Sequence, residues 1–137
     1  EMKMVNETVK ILDDPSVKVT ATCARVPVFF SHAESVNVQT AKHLSARDCR
    51  ALLSQAPSIA VLDNPREGIY PTPLACGGTD EVFVGRIRDD ESIENGLNMW
   101  IVADNVRKGA ALNAVQIAEE LLKRDLLRVP DRDAFLS

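Results

Sequence analysis

Apolar and polar residues alternate from position 17: Val17, Val19, Ala21 and Cys23 interleave with Lys18, Thr20 and Thr22. A period of two puts one set on each face of an extended chain, so residues 17–30, rich in Val, Thr and Phe, are predicted to form a half-buried strand. Ahead of it, Met4, Val5, Thr8, Ile11 and Leu12 share a helical face, and Asp13-Asp14-Pro15 ends that helix. Val36 and Val38 mark a second alternating run over residues 34–40. Ser45 is a fitting N-cap for a short helix that runs to Gln55, and residues 59–62 read as a short buried strand. Residues 82–88 and 97–102 read as two more strands, joined by a charged turn that ends at Asn95-Gly96. From Arg107 to Lys123 the period is helical again, with Ala111, Ala114, Val115, Ala118, Leu121 and Leu122 in one stripe. Glu119 and Lys123, and Glu120 and Arg124, are spaced for ion pairs along that helix.

Between these elements, residues 63–79 carry Pro65, Gly68, Pro71, Pro73, Gly77 and Gly78 and predict a long irregular loop. The chain after Leu126 is expected to be loosely held. Helix, strands, helix, strands, helix is the order of an α+β domain: a mixed sheet flanked by helices, not a doubly wound parallel sheet.

Length and charge narrow the function. A chain of 137 residues is one domain or part of a larger one, and it opens at Glu1 inside an expected helix, which suggests a piece of a longer polypeptide. Its net charge of -4 and lack of a basic cluster argue against nucleic-acid binding. No apolar run approaches the roughly 20 residues that span a bilayer, so no membrane partner is expected. Three cysteines, at 23, 49 and 76, form no CxxC pair. Neither a metal site nor a disulfide framework is expected, and reduced thiols suit a cytoplasmic protein. Cys23 reads as a buried strand cysteine that packs as a small hydrophobe.

Arg25 and His32 carry the candidate chemistry. A guanidinium presents a rigid fork of donors that matches a carboxylate, and an imidazole moves a proton near neutral pH. Seven residues separate them, so a straight strand would point them to opposite faces. A corner at Pro27 would let them converge. Taken singly, Arg25 is more simply a surface charge or ion-pair partner, and His32 a satisfied structural histidine.

Four segments in order carry a resemblance. Lys3-Met4 with Glu7-Thr8-Val9-Lys10-Ile11 is similar to a KM…ETxKI helix, and Thr22-Cys23-Ala24-Arg25-Val26-Pro27-Val28 with His32-Ala33-Glu34-Ser35-Val36-Asn37 to a TCxRVPV…HSxSVN segment. Val84-Gly85-Arg86-Ile87-Arg88 matches a VGRIR strand, and Ala103-Asp104-Asn105-Val106-Arg107-Lys108-Gly109 with Gln116-Ile117-Ala118-Glu119 an ADNxRKG…QIAE helix. Together they resemble the C-terminal part of aspartate-semialdehyde dehydrogenases.

That resemblance implies a glyceraldehyde-phosphate-dehydrogenase-like C-terminal domain, with residues 1–103 as a partial dimerisation and substrate domain. Residues 104–137 would be a helix returning to an NADP-binding domain outside this chain. It implies reduction of aspartyl 4-phosphate to aspartate 4-semialdehyde with NADPH, through a cysteine thioester, towards lysine, methionine and threonine. It implies His32 as the acid/base partner of the thiol, Arg25 as the clamp on the substrate α-carboxylate, Lys3 as a phosphate contact and Asn105 as an NADP contact. Homodimers or homotetramers are implied as well. Neither an SNCxT-like cysteine nor a GxxGxxG-type NADP loop is present, so the chain alone is expected to be inactive. An N-acetyl-glutamyl-phosphate reductase-like enzyme and a non-catalytic dimerisation homologue are the rival readings. Asp104 and Asn105 are also placed to cap the last helix.

Overall fold

A computed structural model describes residues 1–127. Its elements are α1 (Met2–Leu12), β1 (His32–Gln39), α2 (Ala46–Leu53), β2 (Ile59–Val61), α3 (Pro73–Cys76), β3 (Val82–Asp90), β4 (Gly96–Ala103), a π-helical turn (Arg107–Ala111) and α4 (Leu112–Lys123). The expected loose tail after Leu126 lies almost wholly outside the described residues. Among those described, no helix is long and apolar enough to cross a membrane.

Four strands form one mixed sheet in the order β1-β4-β3-β2. The β3–β4 hairpin and the β1–β4 pair are antiparallel, and β2 runs parallel to β3. Leu97, Met99 and Ile101 of β4, Val82 and Val84 of β3, and Ile59 and Val61 of β2 point to one face, where α2 covers them with Ala46, Cys49 and Leu53. Helix α2 starts where the sequence expects, because Ser45 Oγ accepts the Asp48 N–H. The opposite face meets the 63–79 segment: Trp100 Nε1 donates to the Pro71 carbonyl at 3.1 Å, and Val102 and Cys76 are fully buried.

A bulge in β3 keeps this face arrangement intact. The register with β4 slips between Gly85 and Arg88, and Arg86 takes a left-handed φ of 52°. The extra residue turns Ile87, rather than Arg86, towards α2, and Ile87 joins the buried core. Asp63 repairs the interrupted ladder. Its Oδ1 accepts from Arg86 N at 2.7 Å and its Oδ2 from Ile87 N at 3.2 Å, while Arg50 Nε donates to Oδ2 at 2.6 Å.

Residues 17–30 form no strand. Their alternation survives as half-burial of Val17, Val19 and Ala21 against exposed Lys18, Thr20 and Thr22, but no described strand lies alongside to complete a hydrogen-bond ladder. Cys23 is accordingly exposed, its Sγ 3.5 Å from Met4 Sδ, not buried in a sheet. Residues 63–79 are more ordered than expected: Asn64 bridges Ile69, and Thr72 caps α3 by accepting the Ala75 N–H. On α4, Glu120 takes both cations, Arg124 at 3.0 Å and Lys123 at 3.2 Å, in place of the expected Glu119–Lys123 pair.

Gly85 is the tightest point between sheet and loop. A methyl group there would overlap the Leu62 carbonyl oxygen and stand 2.5 Å from Pro71 Cδ. Gly85→Ala should destabilise the chain by about 3 kcal/mol, the upper range of overpacking, because backbone must move. A shift in the urea unfolding midpoint checks this, and a change within about 0.5 kcal/mol would show the contact to be slack.

Candidate functional site

The end of β4 organises the candidate site. His32 is paired in register with Ala103, so the residues just before β1 lie beside those just after β4. There Asn105 Oδ1 accepts the backbone N–H of Ser31 at 2.8 Å. Ser31 is buried, has a left-handed φ of 78°, and directs its hydroxyl to the Pro73 carbonyl at 3.5 Å. The next residue, His32, is exposed.

Asp104 secures the same corner from the other side. Its Oδ1 accepts from Val106 N (2.8 Å) and Arg107 N (3.0 Å), and its Oδ2 from Gly78 N (2.8 Å). Three N–H donors on one buried carboxylate stabilise its charged form, so its pKa lies below the ordinary 3.8, chiefly through Gly78 and then Arg107. Neither candidate caps α4: Asp104 accepts from Val106 and Arg107 at the entry to the π-helical turn that precedes it, and Asn105 reaches Ser31 instead. Arg107 also holds Asp80 through Nε at 2.6 Å.

Arg25 lies in the irregular 14–31 segment, exposed and without an ion-pair partner among the described residues. A corner between Arg25 and His32 is present: Val28 N donates to the Val26 carbonyl at 2.9 Å, a γ-turn centred on Pro27, whose ring fixes φ in the range the turn needs. Lys3 sits in the first turn of α1, exposed, 3.7 Å from Glu7. That turn touches the Arg25 segment, because Glu1 Oε1 accepts the Cys23 N–H at 3.0 Å. The structure therefore ties Lys3's helix to Arg25's segment, and Asn105 to His32's neighbour. No hydrogen bond or ion pair joins any two of the four candidate side chains.

Beside the corner lies an open groove of about 620 Å³. Phe29, Phe30, Leu74 and Val106 line it with exposed apolar surface, and Gly78 and Asp104 form its polar end. Among the described residues no cluster of His, Cys, Asp and Glu is arranged to hold a metal ion. Sequence reasoning missed Ser31 and the tie from Asp104 to Gly78. The Gly77-Gly78 pair was the available signal, since Gly78 takes a φ of 80° and offers its N–H to a carboxylate.

Residues 1–108 match the semialdehyde dehydrogenase, dimerisation domain family. The chain belongs to that family. It is 54% identical over 127 residues to an aspartate-semialdehyde dehydrogenase of Aquifex aeolicus, an alignment that covers 93% of this chain and 37% of the relative. The aspartate semialdehyde dehydrogenase II of Vibrio cholerae, solved in complex with ASA, superposes with a TM-score of 0.84 at 51% identity, covering 90% of this chain and 36% of that one. A Candida albicans enzyme solved with NADP superposes with a TM-score of 0.59 at 27% identity, over 75% of this chain and 33% of that one. The chain thus spans a little over a third of the length of its relatives. The family and the mixed sheet are those that the sequence motifs imply.

The corner makes stability depend on pH with a defined sign. Because folding lowers the Asp104 pKa, its contribution is complete above the unfolded value near 3.8 and is lost as pH falls through the lower folded value. Asp104→Asn should be less stable than the parent at neutral pH, and the gap should shrink in acid. Urea midpoints for both proteins between pH 7 and 2.5 measure this, and a pH-independent gap would remove Asp104 from the account.

Proposed function

We propose that this chain is the substrate-binding and dimerisation part of a cytoplasmic, NADP-dependent aspartate-semialdehyde dehydrogenase, which reduces aspartyl 4-phosphate to aspartate 4-semialdehyde and releases phosphate. The reading rests above all on 54% identity along 93% of the chain to an enzyme of that name. The chemistry of the candidate residues supports it. Arg25 is an uncommitted guanidinium suited to a bidentate grip on the α-carboxylate. His32, exposed at the head of β1, takes the proton of a thiol carried outside this chain and returns it when the aldehyde departs. The thiolate displaces phosphate from the acyl carbon, and Lys3 meets the phosphate charge.

For the cofactor, this chain offers one edge of a site. With Asn105 Oδ1 occupied by Ser31, the amide nitrogen has no partner among the described residues and can donate to a nucleotide beside the groove. NADPH, when bound, supplies the hydride. Residues 1–103 form the dimerisation and substrate portion of a homodimer or homotetramer. Residues 104–137 lead back to the nucleotide domain, and the exposed apolar Val115, Ala118 and Leu122 on α4 suit packing against it.

The intact protein, given aspartate semialdehyde, phosphate and NADP, should form NADPH, followed by absorbance; no turnover would sink the reading. In that enzyme Arg25→Leu should raise the KM for the semialdehyde by a factor equivalent to about 2–5 kcal/mol, the usual cost of removing one member of a buried charge pair. Unchanged KM would take Arg25 out of the site. His32→Asn should lower kcat by about 10²–10⁴-fold, the size of general acid–base effects. A near-parental kcat would leave His32 a structural residue.

A further inference from the structure

We propose that Asn105 is a positioning residue for His32, acting through the left-handed Ser31 between them, and not solely a contact for the cofactor. The inference rests on the proposed acid/base role of His32 and adds a residue to it.

Three observations converge on Ser31. Its φ of 78° is a conformation that residues other than glycine adopt only when their surroundings impose it. Its N–H donates to a side chain, Asn105 Oδ1 at 2.8 Å, across 74 positions of sequence. Its hydroxyl donates to the Pro73 carbonyl at 3.5 Å. The backbone just before His32 is therefore fixed by contacts from beyond the end of β4 and from the start of α3, not by its own preference. Ladder pairing of His32 with Ala103 begins immediately afterwards. An imidazole placed on this residue inherits the direction set by the Ser31–Asn105 bond, and displacement of a catalytic group by about 1 Å can cost up to 10²-fold in rate.

Asn105 itself is held in place. Its neighbour Asp104 locks the backbone with bonds to Gly78, Val106 and Arg107. The two ends of the Asn105 amide then divide two tasks: Oδ1 fixes the histidine segment, and Nδ2 is left for a ligand.

Variants separate these tasks. Asn105→Asp retains an oxygen that accepts the Ser31 N–H but loses the donor; Asn105→Ala loses both. In the intact enzyme, Asn105→Ala should lower kcat by about tenfold to a hundredfold and displace the limb of the pH–rate profile that reports His32. Asn105→Asp should recover most of kcat while raising the KM for the nicotinamide cofactor. Parental kcat and pH profile in Asn105→Ala, or equal losses of kcat in both variants, would overturn the proposal.

A second measurement needs no turnover and separates failure of this proposal from failure of the dehydrogenase reading. The chain has two histidines, His32 and His43. In ring-carbon NMR spectra of the chain, assigned with His43→Asn, Asn105→Ala should move the His32 signals and their titration midpoint, and Asn105→Asp should bring the signals back towards the parent. His43, an exposed loop residue, should stay put as the internal reference. A His32 signal that is indifferent to Asn105→Ala would overturn the coupling whatever the enzyme catalyses.

Discussion

One buried carboxylate and the amide beside it hold the candidate-site end of this molecule together. Asp104 and Asn105 follow β4, one of the two inner strands, and between them they accept four backbone N–H groups. These donors come from the stretch before β1, from the glycine pair after α3 and from the entry to the π-helical turn. Each is a group that would be costly to leave unpaired in a buried position. Satisfying all of them from two adjacent side chains fixes three segments relative to one another without adding any secondary structure.

At the other side of the sheet the same solution appears with different residues. The bulge at Arg86 leaves two backbone N–H groups without ladder partners, and Asp63 accepts both while paired with Arg50. Arg50 reaches further, donating through Nη2 to the Ile87 carbonyl. The Arg86 side chain, pushed outward by the bulge, lies 5.9 Å from the centre of the Tyr70 ring, within cation–π range. A carboxylate thus stands in for a strand at the bulge and gathers loop and turn N–H groups beyond β4, and both times it anchors the 63–79 segment.

Much of this fold is legible in the residues. The Ser45 cap, the β3–β4 hairpin and the helical period after Arg107 each follow from local chemistry, and each forms where that chemistry puts it. Residues 17–30 do not, because alternation specifies which faces a strand would bury but cannot supply the neighbour that makes it a strand. The bulge was hidden for a related reason. In Val84-Gly85-Arg86-Ile87-Arg88 the two arginines alternate with apolar residues, but Val84 and Ile87 differ in parity, and only the register slip shows how both reach the α2 face. Of the candidate site, Arg25, His32, Lys3 and Asn105 were visible as chemical types in matching motifs. Ser31 was not, since its importance lies in a backbone angle that serine's identity does not announce.

The β3 bulge divides the hairpin into two mechanical regions. Towards the corner, Val82–Gly85 pair without interruption against Trp100–Ala103; beyond the slip, Asp89 holds the start of α2 through Ala46 N, and Asp90 meets Asn37. A left-handed residue whose N–H is satisfied by a side chain acts as a joint between the two. The turn at residues 91–95 lies on the outer half, where the carbonyls of Glu94 and Asn95 accept from Gln39 Nε2 and Thr40 N, so that turn steadies the far end of β1 rather than the histidine end.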